Sequence, residues 1–146
     1  MISFLQNHPL LTIFLGLGMI LMAAIHVMWY IRPSEVKTQS ELNILVTNGQ
    51  HPTIVEYYNN LCTVCTMMKP VVDGLEKDLQ GEATVLRIDF LSEVGRSTAR
   101  QFGVKIIPTI LVFDPNGQII FRQTGPFDTE MIKSKVYGLR PELTPD

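Results

Sequence analysis

From Leu10 to Ile31 the chain contains no Asp, Glu, Lys or Arg, and a helix of that length crosses ~30 Å of hydrocarbon. No other feature constrains the fold as strongly, because so long an apolar helix has nowhere to bury itself in a small domain. Trp29 and Tyr30 close the run and Arg32 follows, the order of an interfacial aromatic belt with a cation beyond it. His8 and Pro9 mark the other end. A cleaved signal peptide is the competing reading. No Lys or Arg precedes the run, and Ala23 and Ala24 lie between Met22 and Ile25 without a small-x-small cleavage pattern, so a retained single-pass anchor is expected. Arg32 and Lys37 after the span, with no cation before it, give a two-charge bias toward a cytoplasmic C-terminal domain. His26, with Met19, Met22 and Met28 nearby, invites a haem or copper reading, but a single His facing another helix or the interface is the simpler account.

The remainder has room for one domain. The chain has 146 residues, and its 12 basic and 14 acidic side chains are mixed, with a net charge of -2, so no basic face for nucleic acid is present. The organisation expected is residues 1–32 as membrane anchor, 33–40 as a short polar linker containing Pro33, and 41–146 as the folded domain. Ser40 is expected to cap a first helix from Glu41 through Val46, ended by Asn48 and Gly49. The stretch 53–58, TIVEYY, reads as a buried strand carrying one acid, Glu56. Helical spacing follows from Cys62 to Lys77, with Pro70 inside it, then a strand over 83–90 and a helix from Ser92 to Phe102, stopped at Gly103. Strands at 110–113 and 118–121 flank Asp114-Pro115-Asn116-Gly117, a hairpin turn signal, and Asp128 caps a last helix reaching about Tyr137. This order predicts an α/β domain with a mixed central sheet flanked by helices.

Cys62 and Cys65, the only cysteines, stand as a Cys-x-x-Cys pair where a strand and loop feed a helix. Backbone N–H groups and the helix dipole at that end favour a thiolate on Cys62, and Cys65 is one turn on, in reach of a mixed disulfide formed there. A structural disulfide closing so small a loop would constrain the unfolded chain little. A mononuclear zinc site needs four ligands, and the only histidines are His8, His26 and His51, two of them at or in the apolar run. A metal shared between two chains is the other open alternative. Met67 and Met68 read as core packing, and Lys69 as an ordinary exposed charge.

From about Thr53 to Gly138 the sequence resembles thioredoxins. Glu56 lies six residues before Cys62, where that family carries a buried carboxylate. Pro70 lies five residues after Cys65, as does the family's helix-kinking proline. The segment 102–109, FGVKIIPT, resembles the run into the family's cis-proline, and Gly125 the glycine that follows its hairpin. The resemblance implies a thioredoxin-like fold preceded by one transmembrane helix, and a thiol-disulfide oxidoreductase. Cys62, Cys65 and Glu56 would be its catalytic residues, with Leu61, Thr63, Val64, Ile107, Pro108 and Gly125 lining the substrate-binding surface. A cis Ile107-Pro108 bond would lay a backbone edge beside the cysteines for a substrate strand to pair with. A buried Glu56 would have its pKa raised and exchange the proton of Cys65 near neutral pH.

Departures set the direction. Leu61 stands where thioredoxins usually carry tryptophan, and Thr63-Val64 replace Gly-Pro between the cysteines. Strong oxidants of the superfamily tend to carry a histidine there, and Thr and Val supply no charge to stabilise the thiolate. A protein-disulfide reductase is therefore expected, with protein disulfides as substrates, an upstream electron donor as partner, and neither an organic cofactor nor a resident metal. Glu in place of Asp, with the anchor, is similar to anchored thioredoxin-like proteins that pass electrons to extracytoplasmic partners, which sets the resemblance against the charge bias and favours the extracytoplasmic side. The alternatives are a copper or zinc carrier binding through Cys62 and Cys65, and a redox-inert scaffold.

Overall fold

A computed structural model describes residues 9–47 and 50–139. The chain divides into two compact units between Tyr30 and Ile31. The first holds helix α1 (Pro9–Trp29), whose stretch Leu10–Trp29 is long and apolar enough to cross a membrane, with its large apolar side chains exposed.

The second unit contains α2 (Gln39–Thr47), β1 (Thr53–Tyr58), α3 (Thr63–Asp78), β2 (Thr84–Asp89), α4 (Glu93–Gln101), β3 (Thr109–Phe113), β4 (Ile119–Thr124) and α5 (Thr129–Tyr137). Its four strands form one sheet in the order β2-β1-β3-β4. β1 and β2 run parallel, and β3 pairs antiparallel with both β1 and β4, so the mixed sheet expected from the element order is present. β1 is central and all six of its residues are buried, as a β-branched and aromatic run between two neighbours requires.

Alternation along the strands sorts the core into two layers. Val55, Tyr57, Leu111 and Phe113 face one side, where Leu42 and Val46 of α2 and Val94 and Ala99 of α4 cover them. Ile54, Ile110 and Val112 face the other, under Met68, Val72 and Leu75 of α3 and Ile132 and Val136 of α5. Glu56 shares the α3 side with Ile54 and Tyr58 by the same alternation.

Three local expectations change. Residues 33–40, expected as a linker, belong to the folded unit: the Ser34 N–H donates to the Arg87 carbonyl at 2.9 Å, the Ser34 hydroxyl accepts from the Arg87 N–H at 2.9 Å, and Val36 is buried. Ile31, expected to end the span, is fully buried there too. The cap of α2 is Thr38, not Ser40. The Thr38 hydroxyl accepts from the Glu41 N–H at 3.1 Å, as an N-cap side chain does, and the Glu41 carboxylate reaches back past it to accept from the Lys37 N–H at 2.9 Å; Ser40 already lies inside the helix. Asn48 and Gly49, expected to stop this helix, lie outside the described residues. At the hairpin turn the Asp114 carboxylate accepts from the N–H groups of Asn116 and Gln118 at 3.0 and 2.8 Å, the side-chain mimicry that makes Asp a turn residue.

Candidate active site

Cys62 is the N-cap of α3. Its backbone is extended, its Sγ accepts the Cys65 N–H at 3.2 Å, and the first turn behind it contains no acid, so nothing opposes the positive end of the helix dipole. A disulfide joins Cys62 and Cys65, whose Cα atoms are 5.2 Å apart. The two sulfurs differ in environment: Cys62 is half-buried, whereas Cys65 is fully buried. Leu61, Thr63 and Val64 are exposed around the pair, Leu61 at 90%. Pro70 is inside α3, as expected.

The loop before β3 supplies a second wall. The Ile107-Pro108 peptide bond is cis, Pro108 is buried, and the Ile107 side chain packs against the cluster that holds Cys65. Gly125 enters the site through Pro108. It has φ +84°, a conformation suited to glycine, and from there its N–H donates to the Pro108 carbonyl at 2.8 Å. The Thr109 hydroxyl donates to the Ile106 carbonyl at 2.6 Å and fixes the same loop from inside.

Glu56 is fully buried in β1, and among the described residues neither carboxylate oxygen has a hydrogen-bond donor. Burial pushes its pKa up from 4.5 to about 7, opposed by the Arg87 guanidinium, whose Nε lies 3.8 Å from Oε2. Arg87 stands beside Glu56 in the parallel register and is itself buried. It also reaches Asp73 of α3 at 2.7 Å and Glu76 at 3.4 Å, so three carboxylates share one guanidinium. Lys69, expected as an ordinary exposed charge, is partly buried and pairs with Asp73 at 2.6 Å. Burial pushes the Asp73 carboxyl up, but the hydrogen bonds from Lys69 and Arg87 outweigh it and leave the pKa below its ordinary value.

The structure brings Cys62, Cys65, Ile107, Pro108 and Gly125 to one place and sets Arg87 beside Glu56; the sequence did not single out Arg87 or the buried Ile31. Arg87 had a signal: it is a lone cation in an apolar strand, as Glu56 is a lone acid in one. Ile31 had none, because it reads as the last residue of the apolar run.

The family model for thioredoxin matches residues 33–137. The chain belongs to the thioredoxin family. It is 29% identical over 86 residues to the thioredoxin of Haemophilus influenzae, covering 59% of this chain and 78% of that one. With the thioredoxin of Rickettsia conorii it shares 33% over 73 residues, covering 50% and 67%. Among solved structures, a mutant thioredoxin from Halobacterium salinarum superposes with a TM-score of 0.60 at 29% identity, over 75% of this chain and 91% of that chain. A thioredoxin-like fold, a Cys-x-x-Cys pair joined as a disulfide and these relatives make the chain a thiol-disulfide oxidoreductase. The metal-carrier reading gains no support: among the described residues no group of three or more His, Cys, Asp or Glu is placed to hold an ion.

Proposed function

We propose that this thioredoxin-family protein is a membrane-anchored reductant of protein disulfides. The observation that carries the reading is the asymmetry of the pair, with Cys62 half-exposed at the α3 N-terminus and Cys65 sealed beneath it. In the dithiol state the Cys62 thiolate attacks one sulfur of a substrate disulfide. That bond breaks, a mixed disulfide forms, and the first substrate sulfur leaves as a thiolate that takes up a proton. Cys65 then loses its proton to the Glu56 carboxylate and attacks Cys62, which restores the Cys62-Cys65 disulfide and releases the second substrate thiolate. Two electrons pass to the substrate, and an upstream dithiol donor returns them. A pKa of about 7 suits Glu56 to take that proton near neutral pH.

Leu61, Thr63, Val64 and the Ile107-Pro108 backbone, set by Gly125, form the surface the substrate strand meets. α1 supplies the anchor, its exposed apolar side chains matching lipid. The reading has the domain face the extracytoplasmic side, a choice supported by the persistence of protein disulfides there. The test measures the reduction potential of the pair together with insulin-disulfide reduction by the full chain. A potential near ~-270 mV with insulin reduced supports a reductant, and one near ~-120 mV reverses the direction. Labelling of reduced Cys62 in intact cells by an impermeant maleimide reports the side.

A further inference from the structure

We infer that Ile31 is a positioning residue of the redox site, sealing the sulfur of Cys65 from water, and that Asn60 holds it in place. Ile31 follows the end of α1 by two positions in the sequence, yet its surroundings are those of a core residue. Its N–H donates to Asn60 Oδ1 at 2.9 Å, and its carbonyl accepts from Asn60 Nδ2 at 3.0 Å. The Tyr58 hydroxyl donates to the same carbonyl at 3.2 Å. One side-chain amide thus satisfies both main-chain groups of a single residue, as an adjacent strand would.

The side chain of Ile31 is 0% exposed and forms one cluster with Tyr58 and Cys65, each also 0% exposed, against which Cys62 and Ile107 pack. Tyr58 precedes the active-site loop, and Ile107 precedes the proline. Ile31 is the only member of this wall contributed by the segment leading out of α1. A thiolate on Cys65 is disfavoured by such apolar burial, whereas Cys62 at the helix N-terminus is favoured as a thiolate. Ile31 therefore helps to keep the proton on Cys65 until the mixed disulfide has formed. Ile31, the first residue of the second compact unit, is thus part of the wall around the redox centre.

The inference rests on Cys65 being the buried partner in the proposed exchange, and not on the direction of electron flow. It is tested in the reduced, full-length protein carrying Cys62→Ser, by following iodoacetamide alkylation of Cys65 against pH. Ile31→Ala and, separately, Asn60→Ala are expected to lower the Cys65 titration midpoint by about one pH unit, which is about tenfold more thiolate, and faster alkylation, below the midpoint. Ile31→Val keeps the seal and the parent rate. Leu42→Ala, a comparable loss of packing on the opposite face of the sheet, leaves the rate and midpoint unmoved. The inference is overturned if Ile31→Ala and Asn60→Ala both titrate like the parent, or if Leu42→Ala shifts Cys65 equally. Absence of insulin reduction by the unsubstituted protein, with this alkylation pattern intact, would refute the reductant reading alone.

Discussion

Glu56 is a carboxylate whose protonation is tied to the stability of the protein. Its folded pKa of about 7 lies above its ordinary 4.5, so between these values the folded state holds a proton that the unfolded chain has released. The stability this contributes is complete below pH 4.5 and is lost as pH rises through 7, where a charge must sit buried beside Arg87. Glu56→Gln removes that charge. At pH 8 the variant is expected to be more stable than the parent by on the order of 3 kcal/mol, a difference that fades toward zero below pH 4.5. Urea unfolding at both pH values checks it, and an equal gain at both would show that burial of the charge is not the cause. If Glu56 takes the Cys65 proton as proposed, the same variant should slow turnover at pH 7 while gaining stability. Glu56 was legible because a lone acid in TIVEYY has to be explained. Its partner was not, since Arg87 is 31 positions away and only the β1-β2 register brings the two together.

At the scale of elements, what was legible is what local chemistry dictates. β1 was readable from its β-branched and aromatic run, α4 from Ser92, whose hydroxyl accepts the Gly95 N–H at 2.9 Å, and α5 from Asp128, whose carboxylate accepts the Glu130 N–H at 2.9 Å. What was not legible is how closely the elements approach. Gly95 illustrates this: a Cβ there would lie 1.9 Å from the Asp89 carbonyl oxygen and 3.0 Å from the Phe90 Cα, so α4 rests directly on the backbone at the end of β2. Those are main-chain atoms held by the strand and cannot rotate aside. Gly95→Ala should therefore destabilise the domain by about 2 kcal/mol or more, although alanine is the better helix former. The fall in urea midpoint of the variant measures it, and a gain in stability would mean that α4 can lift from the strand at little cost.

For the whole molecule, the question is where the domain begins. Composition puts the boundary at residue 41, because RPSEVKTQS is polar and contains a proline. The structure puts Ile31 and Val36 in the core, each in its own apolar cluster, with Ser34 bonded to Arg87 of β2 through its N–H and its hydroxyl, since two buried apolar residues and two hydrogen bonds are enough to seat a short segment at a sheet edge. Such a segment is too short for any periodicity to announce it. The two boundaries predict different behaviour on truncation. Removing residues 1–30 leaves Ile31 and Val36 in place, and the remaining chain should fold and keep its Cys62-Cys65 exchange. Removing residues 1–38 takes both side chains away and uncovers the edge of β2 and the wall behind Cys65. Burial of two such side chains is worth on the order of 3 kcal/mol, so the shorter chain should unfold at clearly lower urea, with Cys65 more open to alkylation. Equal midpoints for the two chains would return residues 33–38 to the status of a linker.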